Sequence, residues 1–320
     1  MKVLALYTTK TLAIIRRVMA PYSCLAERGH SFSFQAVTEL QAGLAYGRDI
    51  TVLPNWVLTN EENDALERVS QDCTFVYDLS DQGLLDSPQV RRALTLCRAI
   101  TVPNDYLATE VRGVVSGASS SRSVHVTITP SVVDIPYFVT ARRLPYLVPD
   151  TTVIGCYGNH DWNVVRPVIT TLRQKHKRVE FLGDDYAYNV LGDLVTHVRC
   201  DVDTYPQLVN SCSFGLCPYS GYDGRETVWA HEYGILYKPV IASIDSQYSK
   251  VLNSNTSQLV TSKLPERWVE AIEKWLTRPE LRARAAKEAF ELANLQRPRM
   301  QVEPYLKVMA RLLPHSALIA

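Results

Sequence analysis

The amino-acid sequence predicts an α/β fold of two doubly wound domains that face each other across a cleft. Two observations support this fold class. Short apolar runs alternate with segments at helical spacing, which is typical of a mostly parallel sheet covered by helices on both faces. The alternation also occurs twice, and a stretch rich in proline and arginine at residues 133–149 separates the two series.

The length of the chain is sufficient for two domains. It has 320 residues, 46% of them hydrophobic and 21% charged, which is an ordinary composition for a globular protein. We place the domain boundary near residues 143–150. We therefore expect an N-terminal domain at residues 1–145, a C-terminal domain at residues 150–295 and a final segment at residues 296–320.

Charge and cysteine usage exclude several classes of protein. The 34 Lys and Arg residues nearly balance the 33 Asp and Glu residues, so there is no electrostatic case for a general nucleic-acid coat protein. The seven cysteines include no Cys-x-x-Cys pair and mostly lie in apolar runs, which indicates free thiols in a reducing compartment. No apolar run has the length of a transmembrane helix or of a signal peptide. We expect a cytoplasmic protein without integral membrane contact.

The first half of the chain predicts six strands and four helices. The strands are expected at residues 2–7, 31–37, 49–53, 73–77, 99–102 and 124–128. The helices are expected at residues 11–27, 60–71, 87–97 and 105–112. Pro21 should kink or split the first of these helices.

Polar residues follow several of these strands, where parallel sheets bind ligands. Residues 8–10, 78–81 and 103–105 should share one rim, because the carboxyl ends of parallel strands lie at the same edge. Asp78 and Asp81 are therefore candidates for a catalytic base or an acceptor ligand. Helix capping is the alternative for both.

The second half predicts a further series of the same kind. Strands are expected at residues 152–157, 179–182, 195–200, 214–217, 240–242 and 259–261. Helices are expected at residues 163–175, 205–211, 225–236, 265–276, 279–295 and 302–313.

One stretch of this half, residues 221–243, has features of a phosphate site. A glycine-bearing loop opens a helix there, and free backbone N–H groups at a helix start attract phosphate. Arg225 adds a forked positive charge, and Glu232 in the second turn could reach a ligand hydroxyl. The alternative is an ordinary loop, helix and strand, with Glu232 as a helix-surface carboxylate.

Four segments of the second half resemble the donor-binding domain of GT-B glycosyltransferases, and among these most closely retaining family 4. The clearest is Glu232-Tyr-Gly-Ile-Leu-Tyr-Lys-Pro-Val-Ile-Ala-Ser243, which is similar to the family pattern E-A-x-A-x-G-x-P-V-I-A-S. The other three are residues 153–158, 179–184 and 205–218. Weaker matches in the first half lie at residues 16–30, 78–81, 100–106 and 128–134.

The resemblance covers nearly the whole chain and implies a GT-B fold, with two Rossmann-like domains and a last helix that crosses back to the N-terminal domain. It also implies a glycosyltransferase that moves a hexosyl or pentosyl residue from a nucleotide sugar, such as a UDP-sugar, to a hydroxyl acceptor. No metal and no other cofactor are expected. The resemblance also allows a compact, phage-type member of this group of enzymes.

The resemblance further implies roles for particular residues. The family glutamate that matches Glu232 binds the ribose hydroxyls, which suits a carboxylate because it accepts two hydrogen bonds from a diol. The candidate donor-binding residues are Gly158, Asn159, Asp161, Gly183, Asp184, Tyr219, Gly224, Arg225, Glu226, Thr227 and Glu232. The catalytic candidates are Asp78, Asp81 and His160.

The chain departs from the family pattern at two points. Gly224 stands where the family has its first glutamate, so Asp223 or Glu226 would have to replace it. Basic residues after the first strand of the second half are also missing, and His160, Arg166 or Arg225 would have to hold the diphosphate, on which negative charge develops.

Three hypotheses therefore stand. The first is a glycosyltransferase with an unknown hydroxyl acceptor. The second is a glycosyltransferase that acts on a hydroxymethylated base in phage DNA. The third is a GT-B binding or scaffold protein that has lost transfer.

Overall fold

The computed structural model describes residues 1–117, 123–141, 144, 151–221 and 226–312. These residues contain two six-stranded sheets in which every strand pair is parallel, with helices between the strands, and this confirms the predicted fold class. The described residues divide into two compact units. The first comprises residues 1–132, Glu226 and residues 298–312, and the second comprises the described residues of 133–221 and 227–297.

The first unit is built on a sheet with strand order β2-β1-β3-β4-β5-β6. In chain order its elements are β1 (Lys2–Tyr7), α1 (Leu12–Ile14), α2 (Ala20–Ala26), β2 (Ser31–Ala36), β3 (Ile50–Pro54), α3 (Asn60–Val69), β4 (Phe75–Asp78), α4 (Pro88–Leu96), β5 (Ala99–Val102), α5 (Asp105–Ser116) and β6 (His125–Ile128).

Alternation along β1 shows how this sheet is covered on both faces. Leu4 and Leu6 pack in the core with α3, α4 and α5, whereas Val3 and Ala5 pack in a second core with α2. Successive side chains of a strand point to opposite faces, so a strand buried on both sides reads as a continuous apolar run. This explains why the sequence shows a run rather than an apolar–polar alternation at residues 3–6.

The first predicted helix is interrupted by a five-residue π-helical segment, Ile15–Met19. Pro21 lies at the start of α2 and has no N–H to donate to the carbonyl of Arg17, and its ring would clash with that carbonyl in a regular helix. A π-helical turn widens the backbone where such a conflict arises. The proline therefore leads to a local change of helix type rather than to a break.

The second unit has the strand order β12-β11-β10-β7-β8-β9. Its elements are α6 (Ile135–Val139), β7 (Thr152–Cys156), α7 (Arg166–Lys175), β8 (Val179–Gly183), α8 (Asp185–Leu191), β9 (Thr196–His197), α9 (Tyr205–Ser211), β10 (Phe214–Cys217), α10 (Val228–Ile235), β11 (Val240–Ser243), α11 (Tyr248–Val251), β12 (Ser257–Val260), α12 (Pro265–Thr277) and α13 (Pro279–Asn294).

The final helix, α14 (Pro298–Leu312), belongs to the first unit, where it packs against α2. Val302, Tyr305 and Met309 join the core on the α2 face of the sheet. The Tyr305 hydroxyl also donates a hydrogen bond of 2.9 Å to the carbonyl of Pro130. The last helix thus completes one face of the first sheet.

Several details of the second unit differ from the sequence prediction. Helices α6 and α11 were not predicted, and the strand expected at residues 195–200 spans only Thr196–His197. The helix expected at residues 225–236 begins at Val228 and ends at Ile235. The helix α8 was not predicted, although Asp184 caps it by accepting a hydrogen bond from the Ala187 N–H. The chain between Gly183 and Thr196 lacks an amphipathic repeat, so the cap was its only local signal.

Helix α10 approaches the second sheet unusually closely. Gly155 on β7 and Gly215 on β10 are paired across the two strands, and the ring of Tyr233 lies over both. A Cβ atom on Gly215 would lie 2.4 Å from Tyr233 Cζ, and one on Gly155 would lie 2.3 Å from its hydroxyl oxygen. On the other side of α10, a Cβ on Gly234 would lie 2.6 Å from the carbonyl oxygen of Ala289 on α13.

We expect Gly215→Ala to destabilise the protein by about 1–3 kcal/mol or more, because the added methyl group overpacks a fixed aromatic ring. Gly113→Ala is the matched control, since a Cβ at this helical position meets nothing within 4 Å. It should leave stability unchanged or raise it by up to about 1 kcal/mol. Urea unfolding monitored by circular dichroism measures both variants, and equal stabilities would contradict the packing argument.

Candidate functional site

The strand order of the second sheet places the candidate site. The order reverses between β7 and β10, which are neighbours in the sheet although two strands, β8 and β9, lie between them in the chain. In doubly wound sheets, ligands bind outside the carboxyl ends of the strands at such a switch point. The loops that begin at Tyr157 and Pro218 leave the sheet there. They contain several of the predicted donor-binding residues.

The loop after β7 turns sharply at Gly158. Its φ is +90°, and a Cβ atom would lie 3.0 Å from the ring of Trp229, so both the backbone and the space favour glycine. The Gly158 N–H donates to Asp184 Oδ2 at 2.7 Å. Asp184 Oδ1 accepts from the Ala187 N–H at 2.8 Å, so both oxygens already have protein partners.

Burial raises the pKa of Asp184, and the backbone hydrogen bonds from Ala187 and Gly158 act in the opposite direction. Gly183, just before it, has a packing role: a Cβ there would lie 2.7 Å from the Val195 side chain. In the structure these two predicted donor ligands hold α8 and the loop after β7 in place. A contact with the donor base stays a prediction.

The imidazole of His160 is enclosed by aromatic rings. It is 3% exposed, and its centroid lies 5.3 Å from that of Trp162, 6.2 Å from Trp229 and 5.9 Å from Tyr248. The adjacent loops are tied together, because the Asp161 N–H donates to the Pro218 carbonyl at 3.1 Å and the Ser220 hydroxyl donates to Asp161. The loops after β7 and β10 therefore form one connected structure.

Glu232 is the buried carboxylate of this region. It is 1% exposed, so the alternative of a helix-surface carboxylate is wrong. Glu232 Oε2 accepts a hydrogen bond of 2.7 Å from the Tyr205 hydroxyl. The Tyr205 ring in turn meets Trp229 edge-on, with centroids 5.7 Å apart. The ribose-binding role of Glu232 stays a prediction, but its side chain is held in a fixed position.

The remaining donor candidates of the second unit lie around this centre. The Tyr219 N–H donates to Ser243 Oγ at 2.7 Å, which connects the ends of β10 and β11. Thr227 stands directly before α10, although its side chain makes no capping hydrogen bond. Asn159 is exposed on the loop after β7. Gly224 and Arg225 lie outside the described residues.

In the first unit, Asp78 is held by a buried arginine. Arg17 Nε and Nη2 donate to its two oxygens at 2.9 and 2.6 Å, and the Thr101 hydroxyl donates at 2.5 Å. Arg17 is fully buried, and its other donors reach the carbonyl and hydroxyl oxygens of Thr129 at 2.6 and 2.9 Å. A role for Asp78 as a base would require this pair to open.

Asp81, the neighbouring catalytic candidate, is an exposed helix cap. It accepts a hydrogen bond of 2.9 Å from the Gly83 N–H at the start of the 3-10 helix Gln82–Asp86. This is the helix capping expected as the alternative to a catalytic role. A catalytic role for Asp81 stays a prediction.

Glu226 belongs to the first unit, close to the charge of Arg17. Burial lowers the pKa of Arg17, but Asp78, Tyr305 and Glu226 together outweigh this and keep the pKa above its ordinary value. Glu226 Oε1 is buried and has no hydrogen-bond partner among the residues that the structure covers.

The sequence reasoning missed two residues that shape the site. Trp229 lies against Gly158, His160 and Tyr205, and its position three residues before Glu232 on a helix could have placed it on the same face. Tyr205, the partner of Glu232, has no comparable signal, because 27 residues separate the two in sequence.

No group of three or more His, Cys, Asp or Glu side chains that could hold a metal ion occurs in the part of the chain that the structure describes. Within the same residues, no helix has both the length and the apolar character to cross a membrane.

The seven cysteines are free thiols, and Cys200 is the one among them that is partly exposed.

We expect the same chemical change to have opposite effects at two tyrosines. Tyr205→Phe removes the hydrogen bond to the buried Glu232 carboxylate and should cost about 1.5–3 kcal/mol of stability. Tyr233→Phe removes a buried hydroxyl that has no partner among the described residues, so stability should stay equal or rise. Chemical denaturation of both variants tests this, and a larger loss in Tyr233→Phe would contradict the assignment.

His231 should make the stability of the protein depend on pH. Burial lowers the pKa of this histidine to about 4, so below the unfolded value of about 6.5 the unfolded chain binds a proton that the native protein does not. This contribution to stability is complete above about pH 6.5 and is lost as the pH falls toward 4. Between about pH 7 and pH 5 it amounts to about 2 kcal/mol.

The measurement is denaturant unfolding at both pH values, with His231→Gln as the matched variant. Glutamine is neutral and similar in length, so the variant should lose the part of the pH dependence that His231 supplies. An unchanged pH dependence in His231→Gln would contradict a proton-linked role for this histidine.

The fold is similar to that of solved glycosyltransferases along nearly the whole chain. An α-glucosyltransferase in complex with UDP-glucose and DNA containing an abasic site has a TM-score of 0.71 at 9% identity, covering 97% of this chain and 98% of that one. HepE of Anabaena in complex with UDP-glucose has a TM-score of 0.68 at 15% identity, covering 97% and 99%.

Sucrose-phosphate synthase of Thermosynechococcus elongatus has a TM-score of 0.65 at 14% identity, again covering 97% of this chain and 99% of that one. No protein-family model matches the chain, and no curated protein sequence matches it. At these identities the similarity establishes the fold. The chain has the GT-B fold of two Rossmann-like domains, as its sequence predicts.

Proposed function

We propose that the protein is a glycosyltransferase that transfers a hexosyl residue from a UDP-sugar to a hydroxyl group, with UDP-glucose as the first donor to test. The observation that carries the proposal is the position of Glu232. This carboxylate is buried on the helix that packs at the switch point of the second sheet, where nucleotides bind in Rossmann-like domains. Two solved proteins of this fold, each similar to 97% of this chain, are in complex with UDP-glucose.

In this proposal Glu232 accepts hydrogen bonds from the ribose diol. Tyr205 holds Oε2, and the packing of α10 fixes the rest of the side chain. A preorganised acceptor loses less conformational entropy when the donor binds, which favours affinity. The loop of Gly158 and His160 lies beside the same helix through Trp229, and we place the diphosphate and sugar next to it.

Catalysis requires stabilisation of the departing nucleoside diphosphate, because negative charge develops there as the glycosidic bond breaks. We propose that cationic groups of the chain supply this stabilisation without a metal, with Arg166 and Arg225 as the candidates. We also propose that the anomeric configuration is retained, which rests on the resemblance of residues 232–243 to retaining family 4. Proton NMR of the first product distinguishes retention from inversion.

A second candidate function has the same donor and a hydroxymethylated base in DNA as acceptor. The observation in its favour is the similarity to the α-glucosyltransferase solved with DNA. Transfer of labelled glucose to duplex DNA containing hydroxymethylated bases tests it. Since phosphate contacts release counterions, DNA glucosylation should weaken steeply as salt is added.

A third candidate is a protein that binds the donor but does not transfer it. It is supported by Gly224, which replaces the first glutamate of the family pattern. Release of UDP from UDP-glucose, with or without an acceptor, would exclude this candidate.

We expect Glu232→Gln to weaken UDP-glucose binding by a factor of about 10–150, which corresponds to the loss of about 1.5–3 kcal/mol for hydrogen bonds to a charged group. Titration calorimetry measures the affinity. Glu266→Gln is the control, because it makes the same change at an exposed position of α12. Absence of UDP-sugar binding in the unmodified protein, or equal affinities in the two variants, would refute the proposed donor site.

A further inference from the structure

A pocket of about 410 Å³ lies in the first unit, at the edge of the sheet where β6 begins. Helix α5 starts at the carboxyl ends of the strands and returns to their amino ends, so its last turn meets the first residue of β6 there. Helix α14 closes the side of the pocket near its end. The loops that follow β1, β4 and β5 lie at the opposite edge of this sheet, so this pocket is separate from that rim.

Two arginines and a histidine line this pocket. Arg112 comes from α5, His125 from the start of β6 and Arg311 from α14. The described lining residues include no acidic side chain, and neither arginine forms an ion pair with any of the residues that the structure covers. Both guanidinium groups are therefore available to an anion.

The helix dipole does not cancel this charge. The carboxyl end of α5 carries about half a negative charge near the pocket. Two arginines carry a full positive charge each at any physiological pH, so the net local charge is positive. Arg311 lies in the last turn of α14, whose carboxyl end adds about half a further negative charge, and the two arginines still leave a net positive charge.

The floor of the pocket is apolar. Val115, Val124 and Val126 line it, next to the Ser116 hydroxyl. Ligand pockets for small organic molecules have volumes of about 300–1,000 Å³, and the pocket lies within this range. An inorganic anion alone would leave the valine surface unused. A ligand with both an anionic group and an organic part fits these walls better.

We infer that this pocket binds a small phosphorylated organic molecule. The phosphoryl oxygens accept hydrogen bonds from Arg112 and Arg311, whose forked guanidinium groups match a phosphate. The organic part of the ligand lies on the valines. This second site binds without making or breaking a bond, and it does not depend on the proposed glycosyl transfer.

The experiment compares phenyl phosphate with inorganic phosphate by titration calorimetry on the full chain. Phenyl phosphate should bind more tightly, because its ring covers apolar surface that inorganic phosphate cannot cover. The double variant Arg112→Gln/Arg311→Gln should weaken phenyl phosphate binding by more than about tenfold, since it removes both charge-assisted contacts.

The matched control is Arg28→Gln/Arg48→Gln, which changes the net charge equally at exposed arginines of the same unit. The control should keep the affinity of the unmodified protein. No binding of phenyl phosphate, or the same loss in both double variants, would overturn the proposal.

A short DNA duplex distinguishes the two sources of a phosphate group. If the duplex displaces phenyl phosphate, the site takes a nucleic-acid backbone and the small-molecule assignment is wrong. If it does not, the assignment stands. UDP-glucose affinity should be unchanged in Arg112→Gln/Arg311→Gln, so failure of this proposal is distinguishable from failure of the donor site.

Discussion

The second unit depends on the close approach of α10 to its sheet. Two paired glycines, Gly155 and Gly215, remove the side chains that would keep the helix away, and Tyr233 occupies the space. On the opposite side, Gly234 allows the α13 backbone to approach equally closely. Protein interiors are packed at crystal-like density, so a helix confined on both sides has little freedom to shift or rotate.

This confinement determines where the functional candidates lie. Glu232 precedes Tyr233 directly, and Trp229 lies one turn earlier, so fixing Tyr233 also fixes both side chains relative to the switch point. Gly158, whose φ is positive, lies against the Trp229 ring, which leaves no room for a Cβ atom there. The buried hydroxyl of Tyr233, which has no partner among the described residues, opposes stability, yet the ring packs well. Packing and preorganisation of the site therefore have a common cause.

The sequence was sufficient to predict the fold class and to match Glu232 to the family pattern by its spacing, because both depend on local patterns. It was insufficient where a structure depends on distant residues. The slot for Tyr233 exists only when β7 and β10 are paired, and each glycine alone reads as an ordinary strand residue. Likewise, Tyr205 cannot be linked to Glu232 from spacing. Helix α10 is also nearly all buried. Its sequence therefore lacks the pattern of one apolar and one polar face from which the extent of a helix is predicted.

In the first unit, a buried ion pair rather than close packing holds the elements in place. The π-helical turn at Ile15–Met19 accompanies a buried Arg17, which connects the helix after β1 to the ends of β4, β5 and β6 through Asp78, Thr101 and Thr129. A buried ion pair adds little net stability, but removing one partner leaves an uncompensated charge that costs about 3–5 kcal/mol. The pair therefore acts mainly against alternative arrangements of the strand ends. Asp78, which the sequence suggested as a reactive group, consequently lies within a buried and fully bonded polar cluster. Glu226, near Arg17, is partly exposed and has one buried carboxylate oxygen without a partner among the described residues.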